Sequence, residues 1–381
     1  MMRILTIPLL ALAVAGCGAL GFKRPGGELT ELKPISNRFE AKTLWKTSLK
    51  GMNREQRLSL LPVVSDGRVY IADPSGRVQA LNAGNGQSLW STETRLPLSG
   101  GPGVGDGLVV AGSSEGELVA LDAASGSERW RAQVKSEVLS IPAAASGVVV
   151  VHTSDDKIYG FGARDGALLW GYSKPIPSLT LQGSSSPVIE GRQVLCGLAS
   201  GKLTALDLMD GRLLWEASVA IPGGRSELDR MVDIDGTPLL LSGIAFVATF
   251  QGNLAAVDSV SGGVFWRRAF STTSGLNTDR RRLYASDAQD RVHAINPRDG
   301  ASAWTQGELA GRRITGPALA GDQLVVGDAG GYLHWLAAED GRLLARSRLG
   351  SSGIAATPVV KDGVVYVLDE SGDLFAVSPG V

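Results

Sequence analysis

A 29-residue pattern returns eight times along the chain, and it constrains the fold more than any other feature. Its first copy, residues 62–90, reads PVVSDGRVYIADPSGRVQALNAGNGQSLW. Copies follow at 102–130, 142–170, 187–215 and 238–266, each opening on Pro and closing on Trp. Two more, 276–304 and 317–345, carry Leu276 in place of Pro and Ala345 in place of Trp, and an eighth opens at Pro358. No copy gains or loses a residue inside, so all variation in length falls between copies. Self-similarity at a fixed period marks units that bury their faces on one another. The 381 residues therefore read as one array and not as two or three domains.

Inside each copy the turns are written in glycine, which supplies 50 of the 381 residues, about twice the usual share. A first turn (Asp66-Gly67, Asp106-Gly107, Asp362-Gly363) precedes an apolar strand such as 69–72. A second (Gly76, Gly116, Gly201) precedes a strand such as 118–122, and a third (Gly86, Gly126, Gly166) a short strand that ends in Trp. Strands at this spacing form antiparallel meanders, and four strands in each ~40 residues make a propeller blade. The eighth copy reaches position 381 without its Trp, yet residues 39–45, FEAKTLW, read as an orphaned last strand. The expected fold is all-β: an eight-bladed β-propeller of four-stranded antiparallel blades. An N-terminal strand ending in Trp45 completes the last blade and removes the open edge an unfinished blade would leave. The seventh copy fits the same scheme. Where other copies have Ala80, Ala120 or Ala205 it has Trp335, and where they have Trp it has Ala345. That exchanges one Trp and one Ala across a hairpin.

The N-terminus reads as an address. Arg3 precedes an apolar run, 4–15, broken only by Thr6 and Pro8. As a helix that run would reach about 18 Å against a hydrocarbon core of ~30 Å, so residues 1–16 are a signal peptide and not a membrane span. The run ends in Val14-Ala15-Gly16-Cys17, which resembles the lipobox of bacterial lipoproteins. The resemblance implies cleavage before Cys17 and lipid on its thiol, and Gly18 in place of Asp implies the outer membrane. Residues 17–38, with Pro25-Gly26-Gly27 and Pro34, read as a lipidated tether, and 39–381 as the propeller. With Cys17 lipidated, Cys196 has no disulfide partner and, in the apolar run 193–197, reads as a small buried hydrophobe.

The balance of 37 Lys+Arg against 38 Asp+Glu leaves no basic footprint for nucleic acid. His152, His293 and His334 lie one per blade, without metal-ligand spacing, and neither a phosphate loop nor a nucleophile elbow is present. No catalytic residue, cofactor or metal is therefore assigned. The recurring Ala120-Leu121-Asp122…Gly126…Trp130 resembles the repeat of quinoprotein propellers. Enzymes of that kind add a vicinal Cys pair and a Ca²⁺ constellation that this sequence lacks. Taken with the lipobox and Gly18, the whole chain resembles the BamB family, outer-membrane lipoproteins of the β-barrel assembly machinery. The resemblance implies a non-enzymatic scaffold on the periplasmic face of the outer membrane. Such a scaffold would dock the periplasmic domains of BamA within the BAM complex and assist assembly and insertion of β-barrel proteins, with nascent barrels as a further candidate partner.

The connectors point to the docking surface. Trp90 to Pro102 advances 12 positions and Trp304 to Pro317 advances 13, but Trp170 to Pro187 advances 17 and Trp215 to Pro238 advances 23. The two long connectors flank one blade and leave it on one face, where loops on a rigid ring are expected to bind. The first holds Leu179, Leu181 and Gln182, and the second Asp233 and Asp235. BamB-like proteins carry a Leu-x-Leu-Arg-Gly and an Asp-x-Asp motif there, both used on BamA. Leu179, Leu181, Asp233 and Asp235 match, whereas Gln182 replaces the Arg and loses a charge and a bidentate donor. From the residues alone, the leucines could equally enter the core. The acids could form a solvated turn or, with Gly236, the start of a Ca²⁺ loop that lacks its later ligands. Two other functions stay open at this point: a PQQ-dependent dehydrogenase, and a lipoprotein that binds an envelope polymer.

Overall fold

The structure, a computed structural model, describes residues 28–52, 58–175, 185–221, 231–272 and 274–379. Every helix or strand among them is a β-strand, and the strands form eight small sheets. Blades 1 to 7 follow chain order: 63–93, 98–133, 143–172, 188–218, 239–270, 277–306 and 318–348. Blade 8 takes Val359–Lys361, Val364–Leu368 and Asp373–Ser378, and Lys42–Ser48 completes it from outside, with Trp45 opposite Ala376. The chain thus forms the expected eight-bladed ring closed by its N-terminal strand. Each blade opens on a tight hairpin. Asp66 and Gly67 both hold positive φ, 51° and 70°, the pairing that matches strand twist.

Two details depart from the sequence reading. The outer strands run on past Trp, as Ser88–Glu93 does around Trp90, because the indole must lie mid-strand to face the small residue across the hairpin (Ala80 opposite Trp90, Ala205 opposite Trp215). Blade 2 also gains a fifth strand, Ser59–Leu60, parallel to its inner strand Leu98–Gly105. This strand lies in the Trp45-to-Pro62 connector, which advances 17 positions and makes a third long connector that the sequence reading passed over.

One contact joins blade to blade. The Nε1 of Trp130 donates to Ala163 O at 2.9 Å, Trp170 to Leu208 O at 2.9 Å, and Trp215 to Ser259 O at 3.2 Å. Trp45, Trp90, Trp266 and Trp304 do the same toward the third turn of the next blade. In every case the indole lies flat on that turn's glycine. Gly166, at φ 70°, leaves no room for more, since a Cβ there would stand 2.6 Å from Trp130. The Gly and Trp of the repeat are therefore two halves of one contact made between successive copies.

The seam explains the seventh copy. In blade 8 the outer hairpin is open, because its last two strands come from opposite parts of the sequence, so no turn glycine stands ready to receive a Trp from blade 7. Ala345 occupies that Trp's place, and its cross-strand partner Trp335 turns into the core, fully buried. Phe39 meets Trp335 edge-on, with ring centroids 5.5 Å apart. Trp335 pays with an Nε1 that has no acceptor.

Residues 28–38, assigned by sequence to the tether, lie along the outer strand of blade 7. Arg38 N donates to Leu344 O at 2.9 Å, and the Asn37 amide bonds both the N–H and the C=O of Arg346. Buried Asp328 organises the rest. It holds Arg312, which reaches Thr30 O at 2.8 Å, and His334, whose Nδ1 takes a bond from Arg346 Nε at 3.3 Å. Arg346 in turn reaches Lys33 O at 3.0 Å. A guanidinium only donates, so Nδ1 of His334 is bare and the proton sits on Nε2, toward Asp328. Burial holds the His334 pKa below its ordinary value, outweighing the pull of Asp328 and aided by Arg346 and Arg312. As pH falls, the unfolded chain therefore takes up this proton first. The stabilisation is complete above about pH 6.5 and shrinks below it. The urea midpoint should fall from about pH 7.5 to about pH 5.5, and His334→Gln should flatten that slope. A variant with an unchanged slope would show that it arises elsewhere.

Candidate functional site

Both long connectors of the sequence reading adjoin blade 4. In a four-stranded antiparallel blade the outer strand ends on the face where the next inner strand begins, so the two leave from one rim. Residues 176–184 and 222–230 lie outside the described residues. Leu179, Leu181 and Gln182 fall among them, as Cys17 falls in the undescribed 1–27. Asp233 and Asp235 are described.

The 231–238 segment is wedged between blades 4 and 5. Met231, Val232, Asp233 and Ile234 are buried, and Asp235 is half-buried. Ile234 N donates to Leu198 O at 3.3 Å, and Asp233 O accepts from Phe250 N at 3.0 Å, which ties the segment to the second turns of both blades. This close approach needs glycine, since a Cβ on Gly197 would collide with Ile234 and one on Gly201 would stand 2.8 Å from Val232. The two acids thus divide. Asp235 is half-buried, whereas Asp233, 2 % exposed, is built into the junction.

The end of the first connector is bound to the second. Buried Ser185 donates through Oγ to Gly236 O at 3.1 Å. Its own carbonyl lies 2.9 Å from His152 Nδ1, and His152 Nε2 lies 3.0 Å from Asp156 Oδ1. Asp156 also accepts from Ala199 N at 3.3 Å. The chain Asp156–His152–Ser185–Gly236 therefore links blade 3, the first connector and the second through buried polar groups. Sequence reasoning treated His152 only as a scattered histidine, although its spacing from Asp156 around the second turn was visible. It also missed Ile221, 77 % exposed where the second connector departs from blade 4.

The titratable groups near the site and in neighbouring blades are taken up by the fold. Cys196 is fully buried, and burial pushes its thiol far above the ordinary value, which leaves little of the reactive thiolate. His293 and His334 each bond a turn aspartate, Asp287 and Asp328, at 2.8 Å. Among the described residues no three His, Cys, Asp or Glu side chains converge as a metal set. Replacing His152 by Phe keeps the ring volume but removes the two ring nitrogens that face Ser185 O and Asp156. Leaving those buried polar groups short of a partner should cost about 2–3 kcal/mol, read as a shift in the urea midpoint. A loss under about 0.5 kcal/mol would show that the chain does not hold the junction.

Comparison with known proteins shows the family. The sequence profile of the family described as Outer membrane protein assembly factor BamB matches residues 35–97, 74–306 and 288–380. An Outer membrane protein assembly factor BamB from Alkalilimnicola ehrlichii is 50 % identical over 365 residues, covering 96 % of this chain and 94 % of its own length. Those from Pseudomonas aeruginosa and Escherichia coli are 46 % and 34 % identical, each over 96 % of both chains. The crystal structure of BamB from Moraxella catarrhalis superposes with a TM-score of 0.80 at 27 % identity, covering 89 % of this chain and all of that one. Quinohemoprotein alcohol dehydrogenase from Comamonas testosteroni, covering 90 % of this chain and 77 % of that one with a TM-score of 0.68 at 15 % identity, shares the ring fold alone. Nearly the whole chain being covered at these identities, it belongs to the BamB family of outer-membrane protein assembly factors.

Proposed function

We propose that the chain is a non-enzymatic scaffold, held at the periplasmic face of the outer membrane by lipid on Cys17, that docks the periplasmic domains of BamA. As a member of its family it is an outer-membrane protein assembly factor, part of the machinery that builds barrels into that membrane. The observation that carries the docking reading is the bond from Ser185 Oγ to Gly236 O, which joins the described ends of the two long connectors to each other beside blade 4. Leu179, Leu181 and Gln182 supply the apolar and polar contacts of the first connector. Asp235 supplies the charge of the second, and Asp233 positions it. Glutamine at 182 donates fewer bonds than the family's arginine, which shifts weight onto the leucines and Asp235.

Titration of the purified BamA periplasmic region onto the mature protein tests this. Asp235→Arg and the pair Leu179→Asp/Leu181→Asp should each weaken binding by about tenfold or more, measured where the urea transition shows each variant ring fully folded. Wild-type affinity in both variants would remove the connectors from the interface.

A further inference from the structure

We propose that residues 28–36 are a strap on the outside of blade 7 that a proton on His334 releases, while the ring stays folded. The strap stands on its own geometry, and only its consequence for the tether rests on lipid at Cys17.

The strap is lightly held. None of its residues belongs to a strand, and only Leu29, Leu32 and Ile35 are half-buried, the rest being exposed. Thr30 N donates to Gly311 O at 3.4 Å, Thr30 O accepts from Arg312 at 2.8 Å, and Lys33 O accepts from Arg346 at 3.0 Å. Beyond it the Asn37 side chain bonds the main chain of Arg346, and Arg38 N donates to Leu344 O, which makes these two residues the hinge. A segment with few buried apolar contacts and no ladder opens at low cost. Two of its three bonds come from guanidiniums that meet at one buried group.

That group is Asp328 with His334, both 0 % exposed. Asp328 accepts from Arg312 at 2.7 Å and from His334 Nε2 at 2.8 Å, while Arg346 Nε donates to His334 Nδ1 at 3.3 Å. The charged groups around the ring are Asp328 from the second turn, Arg312 from the connector and Arg346 from the outer strand, with Glu308 bearing on Arg346. Tyr332 lies beside His334 on its own strand, under Arg348. The inner strand 323–327 adds no charge, and Glu31, Lys33 and Arg38 of the N-terminal segment are exposed. One carboxylate thus already faces two guanidiniums, and a proton on His334 adds a further positive charge without a new partner.

The other two histidines show why this one is a switch. His152 faces two oxygens, Ser185 O and Asp156 Oδ1, and His293 Nδ1 meets the Thr305 hydroxyl at 3.1 Å, which can turn to accept. A second ring proton finds an acceptor at either place. At His334 it meets the N–H of Arg346, so two donors stand head to head in a buried site. Arg346, half-buried at the surface, then turns outward and leaves Lys33 O. Arg312, sharing one carboxylate with a second cation, loosens its hold on Thr30 O. Burial, with Arg346 and Arg312, keeps the His334 pKa below its ordinary value against the pull of Asp328. The released form, in which the ring is wetted, therefore binds the proton more tightly, and release grows as pH falls below about 6.5. Residues 18–27 separate Cys17 from the docked strap. Adding 28–36 to them extends the greatest reach of the tether from about 35 Å to about 65 Å.

A nitroxide on Glu31→Cys in the mature full-length protein reads the strap, since Cys196 is fully buried. Its mobile fraction should rise about tenfold between about pH 7.5 and about pH 5, with the tryptophan fluorescence of the ring unchanged. His334→Gln keeps an acceptor for Arg346 and a donor for Asp328, so its label should stay immobile at both. Arg346→Ala should leave the label mobile at both. A wild-type label that stays immobile in acid, one that His334→Gln frees at the same pH, or one freed only as the ring unfolds would each overturn the proposal. The mass of the mature chain reads the lipid separately, and a strap that responds in a chain without lipid supports the switch and rejects the anchor.

Discussion

The ring depends on one repeated interaction, an indole laid on the glycine of the next blade's third turn. It combines two effects that reinforce each other. The glycine holds a left-handed φ that other residues adopt only with strain, and the missing side chain is the space the indole fills, as Trp130 does over Gly166. The indole also gives its Nε1 to a carbonyl of the same turn, so a large apolar surface is buried without orphaning its polar atom. Seven such contacts run in one direction around the ring, each blade holding the next, and the result is a stiff platform on which a few connectors can be elaborated without loss of the fold.

The same constraint accounts for the exceptions. A ring made from a linear chain must have a seam, and at the seam the third turn is missing, so the contact has no receiving half. Trp335 moves across its hairpin and Phe39 closes over it. Residues 28–38 then secure the outside of blade 7 through the Asp328 group. Along the chain, these bonds come before the strand 42–48 that closes blade 8, so a load applied to the N-terminal side would meet them first.

Much of the fold was legible because its cause is local and repeated. The spacing of Gly and Trp in 62–90 fixes four strands, and its recurrence with Trp45 in hand fixes eight blades. The exchange at Trp335 and Ala345 was also readable, although its reason needed the three-dimensional seam. The candidate site was legible only in part. Connector length singled out the flanks of blade 4, but not that Asp233 is buried, since burial there depends on Gly197 and Gly201 in blade 4 admitting Ile234 and Val232. Nor could spacing show His152 meeting Ser185 across 33 residues. The path of residues 28–38 was hidden for a similar reason. A stretch with Pro34 and few apolar residues reads as tether until the side chains that receive it, Arg312 and Arg346, are placed.

The central claim, that the Trp–glycine contact dictates sequence around the ring, is tested most directly at the seam. In a chain reordered to begin at Leu49 and end at Ser48, Ser378 would be joined to Thr43 through the turn Ala-Gly-Asn-Gly-Gln taken from 83–87. Blade 8 then gains a receiving glycine. The exchange Trp335→Ala with Ala345→Trp is made in both orders, and the urea midpoint of each is measured. The account predicts a cost of about 3 kcal/mol or more in the natural order and about 1 kcal/mol or less in the reordered chain. An equal cost in both would show that the position of the indole is set by its own blade and not by the one that receives it.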